Sequence, residues 1–205
     1  GLELILNLPP DMPEIAQVDP VRLKQILLNL LNNAVKFTSR GYVELEVKFE
    51  QIDKTNGIYR FYVKDTGTGI KKEERKKIFQ AFSQADTSTT RKFGGTGLGL
   101  IISNMLAEKM GGKIEFDSTQ GKGSVFYFSI ETGFKFIEKK EKQDIQINHV
   151  LIIEKNKKNR DVIKNLLQYL NIQAINCSDE TEAEKLIKEN NFDFILQNRS
   201  GQFSK

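Results

Sequence analysis

The stretch from Asp19 to Phe37 limits the fold more than any other. Its apolar residues Val21, Leu23, Ile26, Leu27, Leu30, Leu31, Ala34 and Val35 recur at helical spacing. Asp19 suits an N-cap and Pro20 the first helical position, while TSRG (Thr38–Gly41) ends the run. A helix this long with one apolar face has to bury that face against another layer. The neighbouring sequence supplies a sheet. Tyr42–Glu50 alternates strictly, as a strand with one wet face does, and Ile58–Asp65 is its partner across the turn-rich DKTNG. Leu2–Leu8 reads as a further strand, broken by PPDMP. KIEFDS and GSVFYFSI form a hairpin around TQGKG, and Gly97–Met110 is an amphipathic helix stopped by Gly111 and Gly112. Lys71–Phe82 reads as a short charged helix ending in an aromatic pair. Ser83–Gly97 lacks apolar periodicity and reads as a long loop.

Composition then shifts. Lys135–Gln146 is charged and patternless, a linker. Beyond it, strand and helix alternate: HVLIIE, NKKNRDVIKNLLQYL, IQAINC, ETEAEKLIKEN and FDFILQN. That order implies a parallel α/β unit with few strands. The expected division is residues 1–134 as one domain, 135–148 as a linker and 149–205 as a second unit.

Bulk properties exclude several classes. No apolar run approaches the roughly 20 residues that span a bilayer. The single cysteine, Cys177, rules out an internal disulfide framework and fits a small core residue in a reducing compartment. The net charge of +4 comes from scattered rather than striped lysines, which argues against nucleic acid as a partner.

Four segments carry chemistry. Asn29 and Asn33 lie one helical turn apart and share a face. A carboxamide oxygen is a hard neutral ligand suited to Mg²⁺ beside phosphate oxygens, and Lys36, near the helix end, can meet phosphate as a point charge. The pair equally suits a polar stripe against solvent or a loop. DTGTGI (Asp65–Ile70) follows a strand: Gly67 and Gly69 permit close backbone approach, and the Asp65 carboxylate can accept from an exocyclic amine such as that of adenine, or simply close a turn. FGGTGLGL (Phe93–Leu100) is a glycine-rich segment opening a helix, where free N–H groups favour phosphate. It is not a P-loop, since no Gly-Lys-Ser/Thr follows, and it opens no early strand–turn–helix unit of the dinucleotide-binding kind. Arg91 and Lys92 stand where a lid would bring positive charge to a triphosphate, or where a solvated basic pair would be unremarked.

Together, in this order and spacing, the segments from Leu2 to Phe134 resemble the catalytic ATP-binding domain of sensor histidine kinases. This is the Bergerat fold, an α/β sandwich with a mixed sheet packed on helices, shared with Hsp90-type chaperones, DNA gyrase and MutL. DPVRLKQILLNLLNNAVKFT looks like that family's N box, DTGTGI its G1 box, the Phe79/Phe82 segment its F box and GGTGLGL its G2 box. FSQADTSTTRKFGGTGLGL resembles the hybrid-kinase subgroup in particular. The resemblance implies ATP and Mg²⁺ as cofactors. Asn33 is then the Mg²⁺ ligand with Asn29 in support, Lys36 contacts phosphate, and Phe37 borders the nucleotide. Asp65 accepts from the adenine amine in a pocket shaped by Gly67, Gly69 and Ile70. Gly95, Thr96, Gly97, Leu98 and Gly99 embrace the phosphates, with Lys92 beside them and Arg91 toward the γ-phosphate.

The implied reaction is γ-phosphoryl transfer to a histidine on a dimerising helical domain, followed by relay to a response regulator or phosphotransfer protein. The only histidine, His149, begins a strand and is not expected to be the acceptor, so this chain should not autophosphorylate alone. The implied location is cytoplasmic, with any membrane anchor upstream. From His149 the pattern resembles a receiver domain, a partial flavodoxin-like unit, but a degenerate one. Glu154 is followed by Lys155 and Asn156 rather than a second acid, and Asn198 stands where receivers place the phosphoaccepting aspartate. An Hsp90-type hydrolase would need a glutamate in the first helix, where Asn29 and Gln25 stand. A non-catalytic nucleotide-binding scaffold is the remaining alternative.

Overall fold

The computed structural model describes residues 1–76, 78–79, 98–137 and 147–198. The chain divides into two compact units, Gly1–Ile137 and Glu138–Lys205.

In the first unit the described strands form a six-stranded mixed sheet. β1 (Leu2–Asn7) runs parallel to β3 (Gly41–Gln51), which pairs antiparallel with β4 (Asn56–Asp65), and β4 with β6 (Gly123–Lys135). β5 (Glu115–Thr119) and the two-residue β2 (Ile15–Ala16) both pair antiparallel with β6. The helices α1 (Pro20–Phe37) and α2 (Gly99–Lys109) pack on each other, with α1 also on β3 and β4. Asp19 caps α1 by accepting from the N–H groups of Val21 and Arg22, both at 3.0 Å. The core lies between α1 and α2 and one sheet face: Ile26, Leu30 and Ala34 of α1, Val43 and Val47 of β3, Phe61 and Val63 of β4, Ala107 of α2 and Phe128 of β6. Phe61 and Phe128 stack at 4.9 Å across the strands. Each large apolar side chain removed from water here contributes about 1.5–3 kcal/mol, which sets the register of sheet and helices.

Three expectations change. The outer face of β3 is not simply wet. Glu44 is 1 % exposed, accepting from Asn7 Nδ2 at 3.0 Å and lying 3.6 Å from Lys64 Nζ, which also pairs with Glu46. A charge ladder closes over that strand because β1 and β4 flank it with long polar side chains. The described residues of Lys71–Phe82 form turns rather than a helix; Lys77 and Gln80–Phe82 lie outside the described residues. The first unit runs on past β6, with Phe136 edge-on to Phe134 at 5.4 Å and the Ile137 N–H on Glu14 at 3.0 Å.

The second unit is a parallel three-stranded sheet, β7 (His149–Ile153) flanked by β8 (Gln173–Cys177) and β9 (Phe194–Gln197). α3 (Lys157–Tyr169) follows β7 and α4 (Glu180–Glu189) follows β8. The order β8-β7-β9 is that of the first three strands of a flavodoxin-like sheet. α3 stops where Asn171 takes a left-handed conformation (φ 61°), letting the Ile172 N–H reach Leu167 O at 2.9 Å. Among the described residues no helix is long and apolar enough to cross a membrane.

Candidate nucleotide site

α1, the end of β4 and the β5–β6 hairpin converge on the DTGTGI turn. Asp65 is the last residue of β4, and its carboxylate accepts the Gly67 N–H at 2.8 Å. Thr68 N–H donates to Phe37 O at 3.2 Å, tying the turn to the C-terminus of α1. On the other side Gly121 N–H donates to Thr68 O at 2.7 Å and Ile70 N–H to Ser118 Oγ at 2.8 Å. The turn is therefore held from both sides. This explains its glycines: a Cβ on Gly67 would stand 2.2 Å from Phe37 O, and one on Gly69 would stand 2.1 Å from Thr119 O, at φ 62°.

Burial pushes the Asp65 carboxyl above its ordinary range, against the pull of the Gly67 N–H and of the N–H and hydroxyl of Ser124. Thr38 Oγ1, fully buried and short of hydrogen-bond geometry, adds the smallest pull. An anion that is half desolvated yet supplied with donors is poised to exchange them for a ligand's polar hydrogens.

The two candidate asparagines of α1, Asn29 and Asn33, differ. Asn29 Nδ2 donates to Ser103 Oγ of α2 at 2.9 Å, and its Oδ1 lies where a Cβ on Gly99 would come within 2.3 Å. Asn33, a turn further along the same face, makes no side-chain hydrogen bond to a described residue and is half-buried. Its carboxamide oxygen accepts no hydrogen bond from a described residue. Lys36 Nζ lies 5.1 Å from the ring centre of Phe37, which is 45 % exposed. Leu98 stands at the N-cap of α2 without a side-chain cap bond. Arg91, Lys92, Gly95, Thr96 and Gly97 lie outside the described residues.

Sequence reasoning passed over the hydroxyls beneath the site. Ser118 and Ser124 face each other across the hairpin with Oγ atoms 3.0 Å apart, the first holding Ile70 and the second lying on Asp65. A signal existed: two serines bracket TQGKG, so a hairpin there makes them cross-strand partners.

In the second unit Glu154 follows β7 and is 3 % exposed. It accepts from the Asn156 N–H at 2.8 Å and from the carboxamides of Asn159 and Asn198, each at 2.7 Å. Burial opposes its ionisation, but those three donors and the Arg160 charge outweigh it and hold the carboxyl below its ordinary value.

A mixed sheet with the described helices α1 and α2 on one face and a donor-lined carboxylate at a strand end is the Bergerat type of α/β sandwich. Residues 18–133 match the family of histidine kinase-, DNA gyrase B- and HSP90-like ATPases, and the chain belongs to it. It is 45% identical over 130 residues to signal transduction histidine-protein kinase BarA of Escherichia coli strain K12, covering 63% of this chain and 14% of that protein. It is 39% identical over 176 residues to sensor protein GacS of Pseudomonas syringae, covering 85% of this chain and 19% of GacS, so that similarity reaches into the second unit. Among solved structures, full-length ShkA in complex with AMPPNP superposes with a TM-score of 0.67 at 30% identity, over 90% of this chain and 37% of ShkA. The chain thus spans less than a fifth of the two curated relatives.

Proposed function

We propose that this chain is the ATP-binding catalytic part of a sensor histidine kinase in phosphorelay signalling, directing the γ-phosphoryl group to a histidine on a helical dimerisation domain. The observation that carries the reading is the division of labour at the site: a half-buried Asp65 carboxylate at one end and, on the α1 face, an Asn33 carboxamide that bonds to no described side chain. The names of the relatives and the AMPPNP complex of ShkA support it.

Asp65 accepts from the adenine amine, with Ser124 and Ser118 holding the pocket floor and Gly67 keeping the turn close enough to admit the ring. Phe37 borders the nucleotide, and Lys36 meets phosphate. The residues fit Mg²⁺ as well, since Asn33 presents a carboxamide oxygen that no described residue hydrogen-bonds; when bound, the ion neutralises phosphate charge. Arg91, Lys92 and the glycines from Gly95 to Gly99 complete the phosphate side. The acceptor histidine and the downstream regulator or phosphotransfer protein are partner domains, because His149 begins a strand. The second unit is a receiver-like module that takes no phosphoryl group, since Asn198 donates its amide to Glu154 where a carboxylate nucleophile would stand.

Calorimetric titration of the chain with a non-hydrolysable ATP analogue, with and without Mg²⁺, tests this. Binding that strengthens with Mg²⁺ and is lost in Asp65→Asn is expected. Absence of binding, or binding indifferent to both Asp65→Asn and Asn33→Ala, would overturn the assignment.

A further inference from the structure

The described parts of α1 and α2 touch at one polar point inside an otherwise apolar contact. Asn29 lies on α1 between the core residues Ile26 and Leu30, and its carboxamide crosses to α2. Ser103, which receives it, is 1 % exposed and lies one turn along from Gly99. Gly99 begins α2, and its missing side chain is the space that the Asn29 oxygen occupies. One end of the carboxamide is therefore hydrogen-bonded to the neighbouring helix, and the other lies against the Gly99 backbone of its first turn. A ligand that took the Asn29 amide would have to break its bond to Ser103.

We propose that Asn29 is a positioning residue rather than a nucleotide or metal ligand: clamped between Ser103 and Gly99, it fixes the start of α2 against α1, so that the free N–H groups opening α2 and the Asn33 carboxamide address one triphosphate. This rests on the functional reading above and reassigns one residue within it. It also changes what Gly99 is for. The glycine is required by a side chain on another helix, whether or not its backbone also approaches phosphate. Coupling follows: Asn29, Ser103 and Gly99 act as one unit, and their substitutions cannot be additive.

The test uses the full chain and two readouts. The first is affinity for a non-hydrolysable ATP analogue with Mg²⁺, compared with affinity for adenosine. Asn29→Ala and Ser103→Ala each weaken the ATP analogue by about tenfold, the loss expected of one part-buried hydrogen bond. The double variant is no worse than either single one, and adenosine affinity stays within about twofold, because the Asp65 end does not depend on α2. The second readout is the urea midpoint. Gly99→Ala lowers it in the otherwise unchanged chain but not in the Asn29→Ala background, where the obstructing oxygen is gone. Ser103→Ala binding ATP like the unsubstituted chain while Asn29→Ala loses it would make Asn29 a direct ligand and overturn the proposal. An equal cost of Gly99→Ala in both backgrounds would do the same. If the unsubstituted chain bound neither ligand, the functional reading would fall and the Gly99 cycle would still decide the clamp.

Discussion

Three alanine substitutions in α1, at Asn29, Asn32 and Asn33, should move stability in opposite directions. Asn29, Asn32 and Asn33 sit within five residues of one helix, and asparagine is a mediocre helix former. Asn32 is exposed, and Asn33 makes no side-chain hydrogen bond to a described residue, so Asn32→Ala and Asn33→Ala each gain helix propensity, about 0.5 kcal/mol. Asn29→Ala gains the same but deletes the bond to Ser103 and leaves that hydroxyl, 1 % exposed, without its partner. The deletion costs about 1–3 kcal/mol, so the net is a loss of about 0.5–2.5 kcal/mol. Urea unfolding followed by circular dichroism resolves differences of this size when the slopes agree. The ligand assay then separates the two stabilised variants: Asn33→Ala loses the Mg²⁺-dependent part of nucleotide affinity, and Asn32→Ala keeps it. A destabilisation of more than about 1 kcal/mol in Asn33→Ala would show that its carboxamide has a structural task, and the reasoning that leaves it for a ligand would fail.

Three further outcomes follow from the geometry. The Asp65 carboxyl is raised by burial, so it protonates above the usual carboxylate range; nucleotide affinity should fall as pH drops through that raised value while this group's contribution to unliganded stability rises, and Asp65→Asn should flatten both dependences in paired calorimetric and thermal titrations. Gly67→Ala would place a Cβ 2.2 Å from a backbone oxygen of α1, so it should cost about 1–3 kcal/mol in urea unfolding and weaken nucleotide binding together, whereas Gly121→Ala, with open space around it, should only strain its own left-handed turn. In the second unit the Glu154 carboxyl is held below its unfolded value of 4.5, so its stabilisation is present above that pH and lost below it. Asn198→Asp sets two carboxylates against each other, and hydrogen exchange of the β7 and β9 amides should then show protection rising as pH falls, the reverse of the unsubstituted chain.

How much was legible in advance varied with the range of the forces involved. Helix α1 and its cap, the paired strands β3 and β4, and the alternation beyond His149 follow from periodicity and from single residues acting on their own backbone. The turns over the described part of Lys71–Phe82 did not follow, because a charged run with good helix formers has no apolar stripe to hold it in place. The buried Glu44 did not follow either: alternation marks a face as polar, but whether neighbouring strands close over it depends on side chains from Asn7 and Lys64, remote in sequence.

The sequence by itself determined the chemistry available: two carboxamides a turn apart, a carboxylate ending a strand, and glycines where backbone must come close. These are properties of residue type and local spacing. Only the tertiary structure decided which group is spent and which is free. NLLNNAVKFT presents Asn29 and Asn33 as equals on one helical face, and they become different when α2 packs against that face. One amide is then taken by Ser103, the other bonds to no described side chain, and no local rule could have told them apart, because the partner that distinguishes them lies 74 residues away.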